Sequence, residues 1–463
     1  MYIQQLYTSC LAEAAYYIES NGEAAIIDPL RETEPYLQLA KERGAKIKYV
    51  LETHFHADFV SGHIDLARLT GAKIVYGPTA KAEYDIYVAK DGEDLPLGNV
   101  KIRVLHTPGH TLESSSFLLL DEHGLPNSIF TGDTVFVNDV GRPDLAVKSD
   151  LSREDLAGLL YESIKNKILP LPDDVILYPG HGAGSACGKN LGEETITTLG
   201  HQKKVNYALQ PMSKEAFVQA VTDGLTAPPK YFFMDAGINK KGYTPIDEVM
   251  NHNAKALSLE AFDLETSNGA IVLDARDAAE FEKGFVPGAI NIGLNGQYAV
   301  WVGSLLDAKH PLVLVADEGK EAEAVLRLAR VGYENVKGYL KGGINAWKSA
   351  GRSVDTVRSL APEEFDRLYT EDKRILDVRN EPEWTGGVIE GAHLVPLMQL
   401  PDALPDLRKD LTYYIHCAGG YRSMIACSLM KRNGFTNVIN ITGGMNQVKQ
   451  SHFHLVVPPT VTA

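Results

Sequence analysis

Cysteine is scarce: there are four in 463 residues, at positions 10, 187, 417 and 427. Four so widely spaced do not make a disulfide framework, so they read as reduced thiols. No apolar run reaches membrane-spanning length, and the opening Met1-Tyr2-Ile3-Gln4-Gln5 lacks the basic stretch and apolar core of a secretory signal. A soluble, cytoplasmic protein with no membrane partner is therefore the expectation. Also missing is any basic run dense enough to track phosphates. The 45 Lys and Arg stand against 60 Asp and Glu, a formal net charge of -15, which argues against nucleic acid as a partner. A homo-oligomer is compatible with the sequence. Length is plentiful, enough for about three domains, each with its own core.

Three segments end apolar runs with metal-ligating side chains. Ile47-Lys48-Tyr49-Val50-Leu51 leads into Thr53-His54-Phe55-His56-Ala57-Asp58-Phe59, ahead of Ser61-Gly62-His63. This reads as a strand, a loop and a helix start. Val100 to Leu105 leads to Thr107-Pro108-Gly109-His110-Thr111, and Ser128-Ile129-Phe130 leads to Thr131-Gly132-Asp133-Thr134. Ligand candidates at three strand exits can be gathered into one site. His63, His106 and His123 lack such neighbours and read as structural or solvent-facing.

These motifs resemble the metallo-β-lactamase superfamily, whose H-x-H-x-D-H loop, later histidine and bridging aspartate usually hold two zinc ions. Ala24-Ala25-Ile26-Ile27-Asp28-Pro29 is similar to its early strand ending in Asp-Pro, and Tyr178-Pro179-Gly180-His181-Gly182 to its late histidine loop. The departure is Phe59, which stands where the closing histidine of the loop would be. A second metal would need Asp58, that position and His181, and a phenylalanine ring offers no lone pair, so the second site is expected to be empty. A mononuclear centre of two histidines and one aspartate favours non-haem iron(II) and oxygen chemistry, although such ligands do not by themselves exclude zinc. Within the superfamily the persulfide dioxygenases use a single iron. The resemblance implies His54, His110 and Asp133 as ligands of one Fe(2+) per chain, with His56 and Asp58 orienting them from behind.

The C-terminal half contains an internal repeat. Ile271-Val272-Leu273-Asp274-Ala275-Arg276 matches Ile375-Leu376-Asp377-Val378-Arg379, and Lys341-Gly342-Gly343-Ile344-Asn345 matches Thr442-Gly443-Gly444-Met445-Asn446. Apolar strands alternate with helical patterns, which argues for two small α/β domains with parallel sheets. In the second copy, Tyr413-Tyr414-Ile415-His416 runs into Cys417-Ala418-Gly419-Gly420-Tyr421-Arg422-Ser423 and a helix, and this resembles the rhodanese active-site loop. Glycine-rich backbone and a helix N-terminus favour negative charge at the cysteine sulfur. Such a thiolate can carry a sulfane sulfur as a persulfide. Cys417 and Arg422 are the candidate catalytic residues, and Ala418, Gly419, Gly420, Tyr421 and Ser423 the sulfur-binding loop. In the first copy Asp317 replaces the cysteine, Lys320 replaces Gly420 and Ala322 replaces Arg422, so that copy resembles an inactive rhodanese module.

The expected fold class is α/β: a metallo-β-lactamase αβ/βα sandwich over residues 1-250, an inactive rhodanese-like domain over 251-355 and an active rhodanese domain over 356-463. This order resembles the persulfide dioxygenase-rhodanese fusions. The resemblance implies oxidation of a low-molecular-weight thiol persulfide, such as glutathione persulfide, by O2 to sulfite. It also implies sulfur transfer that forms or consumes thiosulfate. Gly141-Arg142-Pro143-Asp144 is similar to a substrate-side stretch of that family. Arg142 could meet a thiol's carboxylate or hold the fold through Asp144. His181 and Cys187 are the other candidate substrate-binding residues, Cys187 also reading as a small buried thiol. Two alternatives stay open: a dinuclear zinc thioester hydrolase of glyoxalase II type, and a non-catalytic sulfur carrier.

Overall fold

The computed structural model describes residues 1–146, 151–368, 374–450 and 453–458. The chain divides into two compact units, Met1–Val249 with Ala329–Gly332, and Met250–Leu328 with Tyr333–Ala463.

The first unit contains two six-stranded sheets. One follows the chain in order through β1 Tyr2–Thr8, β2 Glu13–Ser20, β3 Glu23–Ile27, β4 Lys46–Leu51, β5 Lys73–Tyr76 and β6 Tyr87–Val88. The other comprises β7 Asp94–Leu97, β8 Val100–His106, β9 Ser115–Leu120, β10 Pro126–Gly132, β11 Ile176–Pro179 and β12 Thr197–Thr198, again in sequence order. Alternation along the strands sorts side chains to opposite faces. Ala14, Tyr16 and Ile18 of β2 meet Ile102 and Val104 of β8 and Phe117 and Leu119 of β9 in the central core. The intervening Ala15 and Tyr17 instead join Tyr36, Ala40 and Leu66 of the helices Glu34–Arg43 and His63–Thr70. Across the second sheet, Leu118, Leu120 and Ile129 pack on Leu160 and Ile164. Helices thus cover both outer faces of a sandwich, as the sequence reading of the fold class expects. The strands β4, β8 and β10 all release their chains at one edge, next to His54, His110 and Asp133.

The second unit contains two parallel five-stranded sheets of identical topology. In the first copy β13 Ala256–Leu257, β17 Val336–Leu340, β16 Leu312–Val315, β14 Ile271–Asp274 and β15 Ile290–Asn291 lie side by side in that order. In the second copy the order is β18 Arg358–Leu360, β23 Val438–Ile441, β22 Tyr413–His416, β19 Arg374–Asp377 and β21 His393–Leu394. The strands β20 Val388–Ile389 and β24 Leu455–Val456 form a separate pair.

The repeated Asp-x-Arg is a structural device. Arg276 donates to Asp274 at 2.6 Å and to the Gly284 carbonyl at 3.1 Å. Arg379 donates to Asp377 at 2.7 Å and to the Gly387 carbonyl at 2.8 Å. Each buried carboxylate gains its counter-charge two residues away, and each arginine ties the strand end to the loop that follows. Removing the arginine would leave a buried, uncompensated charge. Arg276→Ala should therefore destabilise the second unit by about 3–5 kcal/mol. All three tryptophans, Trp301, Trp347 and Trp384, lie in this unit, so tryptophan fluorescence during urea denaturation reads it directly. An unchanged midpoint would show that the ion pair holds nothing.

Candidate metal centre and sulfur loop

His54, His110 and Asp133 come together, fully buried, with ligand atoms close enough to hold a metal ion. Asp133 Oδ2 lies 3.9 Å from His54 Nε2 and 3.4 Å from His110 Nε2. Both rings are turned inward by what their other nitrogens do. The His110 Nδ1–H faces the Arg142 carbonyl at 2.9 Å. His54 Nδ1 lies 3.0 Å from Thr53 Oγ1, whose own hydrogen goes to Asp28 Oδ2 at 2.8 Å. The Thr53 hydroxyl is thus the acceptor for His54 Nδ1–H, leaving the Nε2 lone pair to the centre, an arrangement that fixes tautomer and orientation together.

Electrostatics agree with this assignment. Burial, with His56 beside it, holds His54 well below the usual imidazole range, so the ring is a neutral donor. Burial would raise Asp133, but the charge and hydrogen bond of His181, with His110 and His54, hold it well below the usual carboxylate range. Asp133 Oδ2 has no hydrogen-bond partner among the described residues. A carboxylate oxygen and two imidazole lone pairs, buried and turned on one another, fit a cation and repel without one. The residues therefore suit the metal that the sequence motifs imply.

Residues that the sequence motifs do not mark as ligands build this site too. Asp28 has left-handed backbone, φ 48°, and its carboxylate accepts from the Thr53 N–H at 2.7 Å as well as from the Thr53 hydroxyl. Strain at a non-glycine residue needs support from its surroundings, and here the support is the ligand loop itself. Asn239 clamps that loop from far along the chain, donating to the carbonyls of His56 at 2.8 Å and Phe59 at 2.7 Å and accepting from the Ser61 N–H at 2.9 Å.

His56 does not join the trio. Its Nε2 lies 3.0 Å from Asp28 and 3.7 Å from Glu52, while the fully buried Phe59 ring stacks on it at 4.3 Å. His181 is bracketed by Asp133 at 2.8 Å and Asp58 at 2.7 Å. Burial opposes its protonation, but those two carboxylates raise it well above the usual range. Cys187, with Asp58 and His181, forms another grouping that could hold a metal. Its thiol is pushed up by burial and by Asp58 and Asp133. The Arg142 guanidinium donates to Asp144 at 2.6 and 2.7 Å and to the carbonyls of Ala186 at 3.2 Å and Thr226 at 2.6 Å. Asp144 is the carboxylate that Arg142 meets in this structure. Of the remaining histidines, His63 is buried against Tyr84, His106 meets the Leu112 carbonyl and His123 is exposed.

In the second unit Cys417 is 1% exposed, at the end of β22. The Gly420 N–H donates to its sulfur at 3.1 Å, and Ser423 Oγ lies 3.7 Å away. Gly420 has φ 109°, which lets the chain turn inward before the Tyr421–Arg432 helix begins. Arg422 forms a bidentate pair with Glu383 at 2.6 and 2.8 Å. Burial opposes the arginine's charge, while Glu383 raises it above its ordinary range. Behind the loop, a Cβ on Gly444 would lie 2.3 Å from the Cys417 carbonyl, explaining the second glycine of the repeated Gly-Gly.

Comparison with known proteins shows which families the two units match. Residues 9–181 match the family described as Metallo-beta-lactamase superfamily, and residues 258–350 and 361–451 match Rhodanese-like domain. The persulfide dioxygenase ETHE1, mitochondrial, of Homo sapiens is 32% identical over 199 residues, 42% of this chain and 70% of that protein. The chain belongs to the metallo-beta-lactamase superfamily, fused to two rhodanese-like domains. Hydroxyacylglutathione hydrolase GloC of Haemophilus influenzae, at 31% identity, matches 42% of this superfamily chain and 91% of its own length. A crystal structure described as metallo-beta-lactamase from Staphylococcus aureus is 33% identical, with a TM-score of 0.65 over 73% of this chain and 98% of its own. Among the described residues no helix is long and apolar enough to cross a membrane.

The Thr53 relay can be tested without touching a ligand. Thr53→Val keeps the shape but removes the hydroxyl that orients His54, and should weaken metal retention about 10–100-fold. Competition with a chromophoric chelator measures it, and unchanged affinity would remove Thr53 from the site.

Proposed function

We propose that residues 1-250 form a non-haem iron persulfide dioxygenase, 251-355 an inactive rhodanese-like module and 356-463 a rhodanese that shares its sulfur chemistry. The observation that carries this reading is the convergence of His54 Nε2, His110 Nε2 and the orphaned Asp133 Oδ2, supported by Phe59 at the loop position where the superfamily motif has a further histidine, its ring stacked on His56. The sequence similarity to persulfide dioxygenase supports the substrate class.

His54, His110 and Asp133 would hold one iron(II), and that ion would supply the redox-active centre for oxidation of a persulfide anion by O2. The chain's own contribution is alignment. His181 holds Asp133 Oδ1 so that Oδ2 faces inward, and Thr53 and the Arg142 carbonyl fix the two imidazoles. The net reaction takes a thiol persulfide, such as glutathione persulfide, with O2 and water to the thiol, sulfite and two protons.

In the rhodanese, the Cys417 persulfide presents its outer sulfur to sulfite. The sulfur–sulfur bond to Cys417 breaks, a new one forms to sulfite, and thiosulfate leaves with Cys417 as thiolate. The Gly420 N–H stabilises that leaving sulfur. The reverse transfer uses the same groups, so thiosulfate can equally be consumed.

A second reading, a dinuclear thioester hydrolase, draws on the Haemophilus relative and on the close approach of Asp58, His181 and Cys187. Metal analysis after anaerobic purification, with oxygen-electrode assay on glutathione persulfide, separates the two. One iron per chain with oxygen uptake is the expected outcome. Two zinc ions with thioester cleavage and no oxygen uptake would overturn it.

Substitutions should separate the two activities. His110→Ala should abolish iron binding and oxygen uptake while thiosulfate-dependent sulfur transfer persists. Cys417→Ser should leave oxygen uptake intact and shift the product from thiosulfate to sulfite. Joint loss of both activities in either variant would contradict independent sites.

A further inference from the structure

The inactive rhodanese-like module has lost the groups that handle sulfur, yet it meets the active module at its most sensitive element. The Tyr421–Arg432 helix begins directly at the Cys417 loop. Three of its residues, spaced seven and four apart and so on one face, engage one short segment of the inactive module. Tyr421 donates its phenol to the Gly293 carbonyl at 2.7 Å. Ser428 Oγ accepts from the Asn291 N–H at 3.0 Å, and Arg432 donates to the Gly288 carbonyl at 2.7 Å.

The seat for Tyr421 is itself held firmly. Arg327 of the inactive module donates to the Leu294 carbonyl at 2.6 Å and the Gly296 carbonyl at 2.9 Å, pinning the turn from its inner side. Asn291 donates to the carbonyls of Asp274 at 3.1 Å and Arg276 at 2.9 Å. The Tyr421 ring lies so flat on Gly296 that a Cβ there would stand 2.5 Å from it. A glycine is thus required by a side chain of the neighbouring module, although its own backbone has no positive φ.

We propose that segment 288–296 of the inactive module is part of the sulfur-transfer site, with Tyr421 as the positioning residue through which it sets the Cys417 loop. Tyr421 stands next to Gly420, whose N–H reaches the sulfur. A shift of the ring by a few tenths of an ångström therefore moves the donor that stabilises the thiolate. The module's retained scaffold then has a use that its lost chemistry leaves untouched. The inference rests on reading Cys417 as the sulfur carrier.

The test uses the full chain, with thiosulfate as donor and cyanide as acceptor, and with iodoacetamide alkylation of the Cys417 peptide followed by mass spectrometry. Tyr421→Phe keeps the ring but loses the phenol, and kcat and alkylation rate should fall about three- to tenfold, the worth of one hydrogen bond, with KM for thiosulfate unchanged. Gly296→Ala should do the same by displacing the ring. In a Tyr421→Ala background, Gly296→Ala should cause no further loss, because the clash has gone. Additive effects, or full wild-type rates in both single variants, would overturn the inference. A merely structural role would lower stability and speed alkylation by exposing the buried thiol. Should the wild-type chain transfer no sulfur, the carrier reading fails, and the same non-additivity in alkylation still decides whether segment 288–296 positions the loop.

Discussion

Asp133 divides its carboxylate between two tasks, and the candidate metal centre depends on that division. Oδ1 is bound by His181, which Asp58 holds from its other side; Oδ2 is left without a partner between two imidazole nitrogens. A buried anion with one oxygen satisfied and one aimed at neutral lone pairs is unfavourable unless a cation joins it. The strand exits, the strained Asp28 and the Asn239 clamp all serve to keep that oxygen and those two nitrogens facing each other.

The convergence of His54, His110 and Asp133 and the shape of the Cys417 loop were legible in the sequence because each sits in a short motif whose neighbours lie in the same loop. Asp28 was legible only in part. The Asp-Pro strand end placed it in the fold, but its grip on Thr53 depends on strands β3 and β4 lying side by side, which pattern alone does not give. Asn239 was not legible at all. It lies about 180 residues from the loop whose carbonyls it holds, within a helix without periodic or motif signal, so only folding reveals its partner. Cys187 illustrates a third case: its nearness to His181 in sequence was visible, and its approach to Asp58 was not.

The duplicated modules separate scaffold from chemistry. Asp274–Arg276 and Asp377–Arg379 are retained in both, as is the glycine that lets the last loop approach: a Cβ on Gly343 would lie 2.8 Å from the Ala316 carbonyl, as one on Gly444 would crowd Cys417. These groups hold strand ends and are needed whether or not sulfur is handled. The diverged groups are those around the sulfur. Glu383 holds Arg422, whereas its counterpart Glu280 pairs with Lys283 on the surface, since Ala322 offers it nothing. Asp317, in place of the cysteine, is exposed.

Hydrogen-bond saturation distinguishes side chains that motifs alone would rank together. Arg142 and Asp133 both lie in motif-like segments next to the metal loop. Four of the five N–H donors of the Arg142 guanidinium are taken up by Asp144 and by two carbonyls, so most of its hydrogen-bonding capacity is spent within the fold. Asp133 keeps an unanswered oxygen at equal burial, and native proteins rarely leave such atoms without cause. A different property separates Cys417, whose sulfur meets an amide and a hydroxyl group at a helix start, from Cys427. That thiol lies inside the same helix, where burial raises it far above its ordinary range. Asp133 Oδ2 is thus an atom that the fold has oriented but not satisfied, whereas the Cys417 sulfur is oriented by the bonds it accepts.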